Sequence, residues 1–268
     1  MRITRILLIA AVCLGLAGCK CDSQHQRVRS MEVQFADLSN NSESYGIKYG
    51  VDGRLAGVER TAVSDGERYQ SSRAFSYKDQ EATVTLKAKR IRIEATAKFE
   101  GDSPRITSFV VDANPNPAPN TVFYGQKWEG KYDGEALVSY TFTDITSDGT
   151  ATGKLTWDED GNLQKIESAD PTTFVEIKDF EYLDEENPFE GADPVAYLLG
   201  VNDFFWQGLA GIRPRNLISS YTRVASDPWV EDVSIDQVNL SYDIAPDGRI
   251  RGITQTVDGV VQTTIKLK

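Results

Sequence analysis

Tyr132-Asp133-Gly134-Glu135-Ala136-Leu137-Val138-Ser139-Tyr140-Thr141-Phe142 reads as a turn running into a strand. Ala136, Val138, Tyr140 and Phe142 place an apolar side chain on every second residue, the period of a half-buried strand. Asp133-Gly134 suits a type I′ turn, whose central residues need a positive φ that glycine takes freely and aspartate tolerates. The dipeptide occurs seven times, at Asp52, Asp65, Asp133, Asp148, Asp160, Asp247 and Asp258, spaced within clusters by 11 to 15 residues. That is the rhythm of consecutive short strands. Asp52-Gly53-Arg54-Leu55, Asp160-Gly161-Asn162-Leu163 and Asp247-Gly248-Arg249-Ile250 repeat one pattern, and Tyr45, Ile47 and Tyr49 alternate beside the first of them. The expected fold is all-β, an antiparallel meander of hairpins forming a strongly curved open sheet or partial barrel.

Two stretches interrupt the alternation. Val84, Leu86 and Ala88 are even-numbered whereas Ile91, Ile93, Ala95 and Ala97 are odd, so the inward face changes at Lys89-Arg90. A bulge or a tight turn would do this, and the poor turn chemistry of Lys-Arg favours the bulge. Residues 112–121 carry Pro115, Pro117 and Pro119 and cannot be a central strand. They form a long loop or a junction between halves, and the shared strand-turn style on both sides favours the loop. One helix is expected near 194–202, with Asp193 as N-cap and Pro194 at the first helical position.

At the other end of the chain, Arg2 and Arg5 precede a 12-residue apolar stretch from Ile6 to Ala17, too short to span a bilayer. Leu16-Ala17-Gly18-Cys19 has the form of a lipoprotein cleavage site. The reading is a signal peptide over 1–18, a lipidated tether over 19–27 and an antiparallel β domain over 28–268, with lipid on Cys19. Two or three acyl chains make such an attachment effectively permanent.

Composition narrows the chemistry. The net charge is −11, and it becomes more negative once the leader is removed, which disfavours nucleic acid. The only histidine is His25, in the tether, so the body has no Ser-His-Asp or Cys-His nucleophile system and no histidine-ligated zinc. Cys13 leaves with the leader and Cys19 is lipidated, so Cys21 has no internal partner. No cofactor and no metal are expected. Asp158, Asp160 and Asn162 mimic part of a calcium loop but lack its terminal glutamate, so a hairpin turn is favoured. The acidic run between Lys178 and Arg213 reads as a solvated loop.

From Asp193 the chain reads Asp193-Pro194-Val195-Ala196-Tyr197-Leu198-Leu199, then Phe204-Phe205-Trp206, then Arg215-Asn216-Leu217-Ile218-Ser219-Ser220-Tyr221, then Pro246-Asp247-Gly248-Arg249-Ile250. With the lipid-attachment motif, this resembles a family of Bacteroidetes lipoproteins carrying a domain of unknown function with a porin-like fold, best over 128–268. The resemblance implies a curved antiparallel sheet and the outer membrane, facing periplasm or cell surface; it implies no activity. A membrane-spanning pore is disfavoured by charges such as Lys87, Lys89, Arg90 and Arg92 among the strand positions.

Three functions follow from these readings. The first is a non-catalytic binding or scaffold module at the cell envelope, with a protein partner or ligand, for which Phe204, Phe205 and Trp206 are the candidate contacts. Three consecutive aromatics cannot all face inward on one strand. The second is a glycan-binding accessory of an uptake system, motivated by Trp128, Trp157, Trp206 and Trp229. The third and weakest is a carboxylate-based hydrolase.

Overall fold

Alternating inward and outward side chains build sixteen strands in the computed structural model, which describes residues 25–36, 41–88, 91–99, 106–111, 126–144, 149–170, 173–199, 212–227 and 232–268. They are β1 (Ser30–Phe35), β2 (Ser42–Tyr49), β3 (Leu55–Ser64), β4 (Glu67–Lys78), β5 (Glu81–Ala88), β6 (Ile91–Phe99), β7 (Ile106–Val111) and β8 (Gln126–Asp133). The second half holds β9 (Ala136–Asp144), β10 (Thr150–Trp157), β11 (Leu163–Ala169), β12 (Phe174–Glu186), β13 (Asn216–Asp227), β14 (Asp232–Ile244), β15 (Ile250–Val257) and β16 (Val260–Leu267). Each pairs antiparallel with its neighbours in sequence, and β1 pairs with β16, so the meander closes into a barrel. The curved sheet expected from the turns thus curls fully round, which leaves no edge strand.

The expected bulge at Lys89-Arg90 is instead a reversal. β5 and β6 pair antiparallel with Ala88 opposite Ile91, so the chain turns back there rather than continuing. Paired positions sum to an odd number, and even residues on β5 therefore share a face with odd residues on β6. Eight cross-strand pairs outweigh the weak turn preference of two residues. β7 and β8 likewise pair on either side of residues 112–125, and the sheet is continuous there.

Residues 25–29 and Lys268 lie at one rim of the barrel, together with the described turns after the even-numbered strands. At this rim a regular device appears. The β3–β4 ladder ends at Gly57 opposite Ala74, and the Tyr77 hydroxyl donates at 2.8 Å to the carbonyl of Leu55, two residues further on. Carbonyls of alternate residues point toward the same neighbouring strand, so the ring takes over where the backbone ladder stops. The same register recurs in Tyr49 to Val28, Tyr132 to Ile106, the Trp157 indole to Leu137, Tyr182 to Leu163 and Tyr242 to Ile218. In each, the ladder's last pair lies two residues from the acceptor. Phe99 of β6 lacks a hydroxyl and needs none, because its own N–H donates to the Gln80 carbonyl at 2.8 Å and completes the pairing. At β15–β16 the ladder stops at Gly252, and the amide of Gln26 donates to the Ile250 carbonyl at 2.7 Å.

Residues 187–199 of the β12–β13 connection pack into the lumen at this rim and plug it. Helix α1 (Pro194–Leu198) is capped by Asp193, whose carboxylate accepts from the Val195 N–H at 2.8 Å. Phe189, Ala192, Val195, Ala196, Leu199 and Ile212 are all buried. The Leu198 carbonyl accepts from the hydroxyl of Tyr221 on β13 at 3.3 Å and from Gln255 on β15 at 3.4 Å, while Tyr197 reaches Glu43 on β2. The helix therefore lies across the inner wall. The expected helical end at 200–202 falls outside the described residues.

Candidate functional site

Inward side chains change character along the barrel axis. On β2 they run Tyr49, Ile47, Tyr45 and then Glu43; on β4, Tyr77, Phe75, Arg73, Ser71, Tyr69 and then Glu67; on β14, Tyr242, Leu240, Val238, Asp236 and then Ser234. The plugged rim is packed with apolar groups, and the opposite mouth is polar. Burying the apolar half contributes about 25 cal/mol per Å² removed from water, so the plug and core stabilise each other.

At the transition lies a cavity of about 530 Å³, lined by Phe35, Ala62, Val63 and Tyr69 with Asn41, Glu43, Arg60 and Ser64. Its floor is a four-residue polar cluster. The Glu43 carboxylate pairs through one oxygen with Arg60 Nη2, and through the other accepts from the Tyr45 hydroxyl and, at 3.2 Å, from Tyr197. Arg60 stands directly across from Tyr45 in the β2–β3 register, and the Tyr45 and Tyr197 rings meet edge to face at 6.1 Å. Burial pushes both phenols well above their ordinary range, and the Glu43 hydrogen bond pushes the Arg60 guanidinium up. The cluster thus keeps its guanidinium charged and its two phenols neutral.

Two features make the floor receptive rather than inert. Among the described residues the Nε of Arg60 is buried without a hydrogen-bond partner, although 39% of its side chain is exposed. The ring of Tyr69, opposite Ala62, is 50% exposed on the luminal wall. Native structures rarely leave a buried donor without an acceptor.

The outer wall is dominated by charged and polar side chains, with Phe174, Val233, Ile235 and Val260 as exposed apolar exceptions. Outward positions carry Glu32, Lys48, Glu59, Glu81, Thr83, Lys87, Lys131, Thr152, Lys154 and Lys266, all exposed. Ion pairs lace the wall, across strands in Lys48–Glu59 at 2.5 Å and Lys165–Glu176 at 2.6 Å, and along β12 in Lys178–Glu176 at 2.8 Å. Such exposed pairs are each worth about 0–1 kcal/mol; they matter more for solubility than for stability. Among the described residues no helix is long and apolar enough to cross a membrane.

The sequence-derived candidates fare differently. Cys19, Phe204, Phe205 and Trp206 lie outside the described residues, as does Trp229. Trp128 is core, stacked on Tyr140 at 6.3 Å, and Trp157 is one of the rim donors. Asp158 accepts from the N–H groups of Asp160 and Asn162 at 3.0 and 2.7 Å, which makes this segment a hairpin turn. The acidic run disperses: Glu181 accepts from Ser220, Glu190 pairs with Arg27, and Asp193 is the buried cap. Glu43 and Arg60 went unremarked. Their signal was parity, since Glu43 shares the odd positions of Tyr45, Ile47 and Tyr49, and a carboxylate on an inward face needs a partner.

The chain is similar in structure to a porin-like protein from Bacteroides uniformis, with a TM-score of 0.65 at 13% identity, covering 90% of this chain and 97% of that one. A porin-like protein from Bacteroides vulgatus matches with a TM-score of 0.60 at 12% identity, covering 90% and 98% respectively. No family model matches the sequence, and no curated protein is similar to it. At these identities the likeness is one of fold, and the fold is the porin-like one.

Proposed function

We propose that this protein is a non-catalytic binding module of the cell envelope: a water-soluble barrel tethered to the outer membrane by lipid on Cys19, with the luminal mouth as its binding site. The observation that carries the reading is the direction in which the barrel faces. A membrane barrel turns an apolar band toward lipid and keeps polar groups inside. Here Lys, Glu and Thr dominate the outward positions, with Phe174, Val233, Ile235 and Val260 as exceptions near the mouth rather than a band, and the buried apolar side chains face in. Each Lys or Arg at the bilayer midplane would cost about 2–4 kcal/mol, so a wall of them favours water. A soluble barrel needs a separate attachment, and the motif at Cys19 supplies one.

The tether also sets an orientation. Gln26 is pinned to Ile250 at the plugged rim, and the seven residues back to Cys19 span at most about 25 Å when extended. The plugged end thus faces the bilayer and the mouth faces away, toward solutes. A body without histidine fits binding better than hydrolysis.

Detergent-phase partitioning tests the reading. The wild-type chain partitions into detergent and takes up labelled lipid, whereas Cys19→Ala is released from membranes and purifies as a folded protein without detergent. A Cys19→Ala chain that still needs detergent, or still takes up lipid, overturns it.

A further inference from the structure

We propose that the cavity at the barrel mouth binds an uncharged, polyhydroxylated ligand, a saccharide of one to three units, held by Tyr69, Arg60 and Asn41. The inference rests on the reading of the mouth as a binding site and goes on to name what occupies it. Three observations converge. The first is charge balance. Among the described residues lining the cavity, Glu43 and Arg60 are the only oppositely charged pair and they neutralise each other. A bound anion or cation would leave a net charge in a half-buried site, whereas hydroxyl groups bring none.

The second is the pattern of hydrogen-bonding capacity. Glu43 already takes three partners, so it serves as an anchor for Arg60 rather than as a free base. Arg60 leaves 39% of its side chain exposed toward a ligand, and Asn41 uses its side-chain oxygen to accept from the Asp65 N–H at 3.1 Å, which leaves its amide group to donate. Ser64 adds a hydroxyl. Donors therefore outnumber acceptors, which suits a ligand rich in oxygen. The third is the platform. Tyr69 holds its hydroxyl toward Glu67 at 3.3 Å and turns its half-exposed ring to the lumen, with Phe35 on the same cavity wall. A sugar ring offers an apolar C–H face to such a ring and hydroxyl edges to the donors around it. The size agrees, since cavities of roughly 300–1,000 Å³ hold small ligands.

The test is calorimetric titration of the full mature chain, purified as the Cys19→Ala protein, with lactose, maltotriose and cellotriose, with glucuronate as the anionic arm and glucosamine as the cationic arm. The expected result is binding of at least one neutral sugar. Tyr69→Ala should weaken it by roughly tenfold, as should Arg60→Gln, and neither acid nor amine sugar should compete. Tyr69 is on the open wall, so Tyr69→Ala keeps the test valid if Arg60→Gln fails to fold with Glu43 unpaired. Preference for glucuronate or glucosamine, again lost in Tyr69→Ala, overturns the ligand class and leaves the mouth as a binding site. No binding in any arm overturns the ligand class too, and if fluorescence of Tyr69→Trp is also unmoved by a cell-envelope extract, the binding-site reading falls with it.

Discussion

Gln26 holds both backbone polar groups of Ile250: its side-chain nitrogen donates to the carbonyl at 2.7 Å and its oxygen accepts from the N–H at 2.8 Å. Gln26 also joins the plug, its N–H donating to the Pro188 carbonyl and its carbonyl accepting from Glu190. It thereby does at β15–β16 what a tyrosine or tryptophan does at six other hairpins. Gln26→Leu keeps the bulk and removes both side-chain bonds, which should cost about 1–3 kcal/mol because two buried backbone groups lose their partners. Urea unfolding checks this: a lower midpoint with unchanged slope is expected.

The rim aromatics make a graded set. Tyr182→Phe removes a 2.6 Å bond to Leu163 and should cost about 1 kcal/mol, while Tyr182→Ala also opens a cavity and should cost about 3–5 kcal/mol. Phe99→Tyr is the control. No carbonyl awaits a hydroxyl there, so a gain of more than about 0.5 kcal/mol would contradict the assignment.

Tyr140 is flanked across the sheet by Gly130 and Gly153, and it lies over Gly153 to reach Ser168 on β11 at 3.2 Å. A Cβ on Gly153 would sit 1.9 Å from the Tyr140 ring. Gly153→Ala should therefore destabilise by about 1–3 kcal/mol through overpacking. In a Tyr140→Ser background most of that cost should vanish, and a double-mutant cycle with no coupling would show that the clash is absorbed elsewhere.

Among the described residues nine tyrosines are raised above the ordinary phenol value of 10.0, burial being the largest cause in eight and the Glu67 charge in Tyr69. A raised folded value means that folding favours the protonated phenol. The stabilisation is complete below pH 10 and is lost as pH rises toward 12, where Tyr77 and Tyr221 titrate. Alkaline unfolding followed by tyrosinate absorbance and circular dichroism together should show late, cooperative ionisation. Gradual ionisation from pH 10 with the sheet intact would refute it.

Turn chemistry and period-two alternation made the meander legible, because both are local. Closure was not legible, since it depends on strand tilt and on pairing Met31 with Leu267, which no short window contains. The rim device was half visible. Tyr49, Tyr132 and Trp157 stand just before Asp-Gly turns, but an aromatic in that place reads as core until its acceptor, 20 to 26 residues earlier, is known. The mouth cluster was the least accessible. Tyr197 meets Glu43 across 154 positions of sequence because the plug folds inward, and no periodicity announces a loop that enters its own barrel.

The seam between β1 and β16 has a kinetic meaning. β1 gains its second partner only when β16 has been made, so until then two unsatisfied edges face water. Contacts of such sequence separation form slowly. The charged outer face, useful to the finished barrel as a solvated surface, serves the unfinished one as a guard, because Glu32 and Gln34 on β1 and Arg251 on β15 discourage stacking of an open sheet on its neighbours. Closure is then the commitment step, and a chain that loses its final strand should be cleared by proteolysis rather than persist as a shorter barrel.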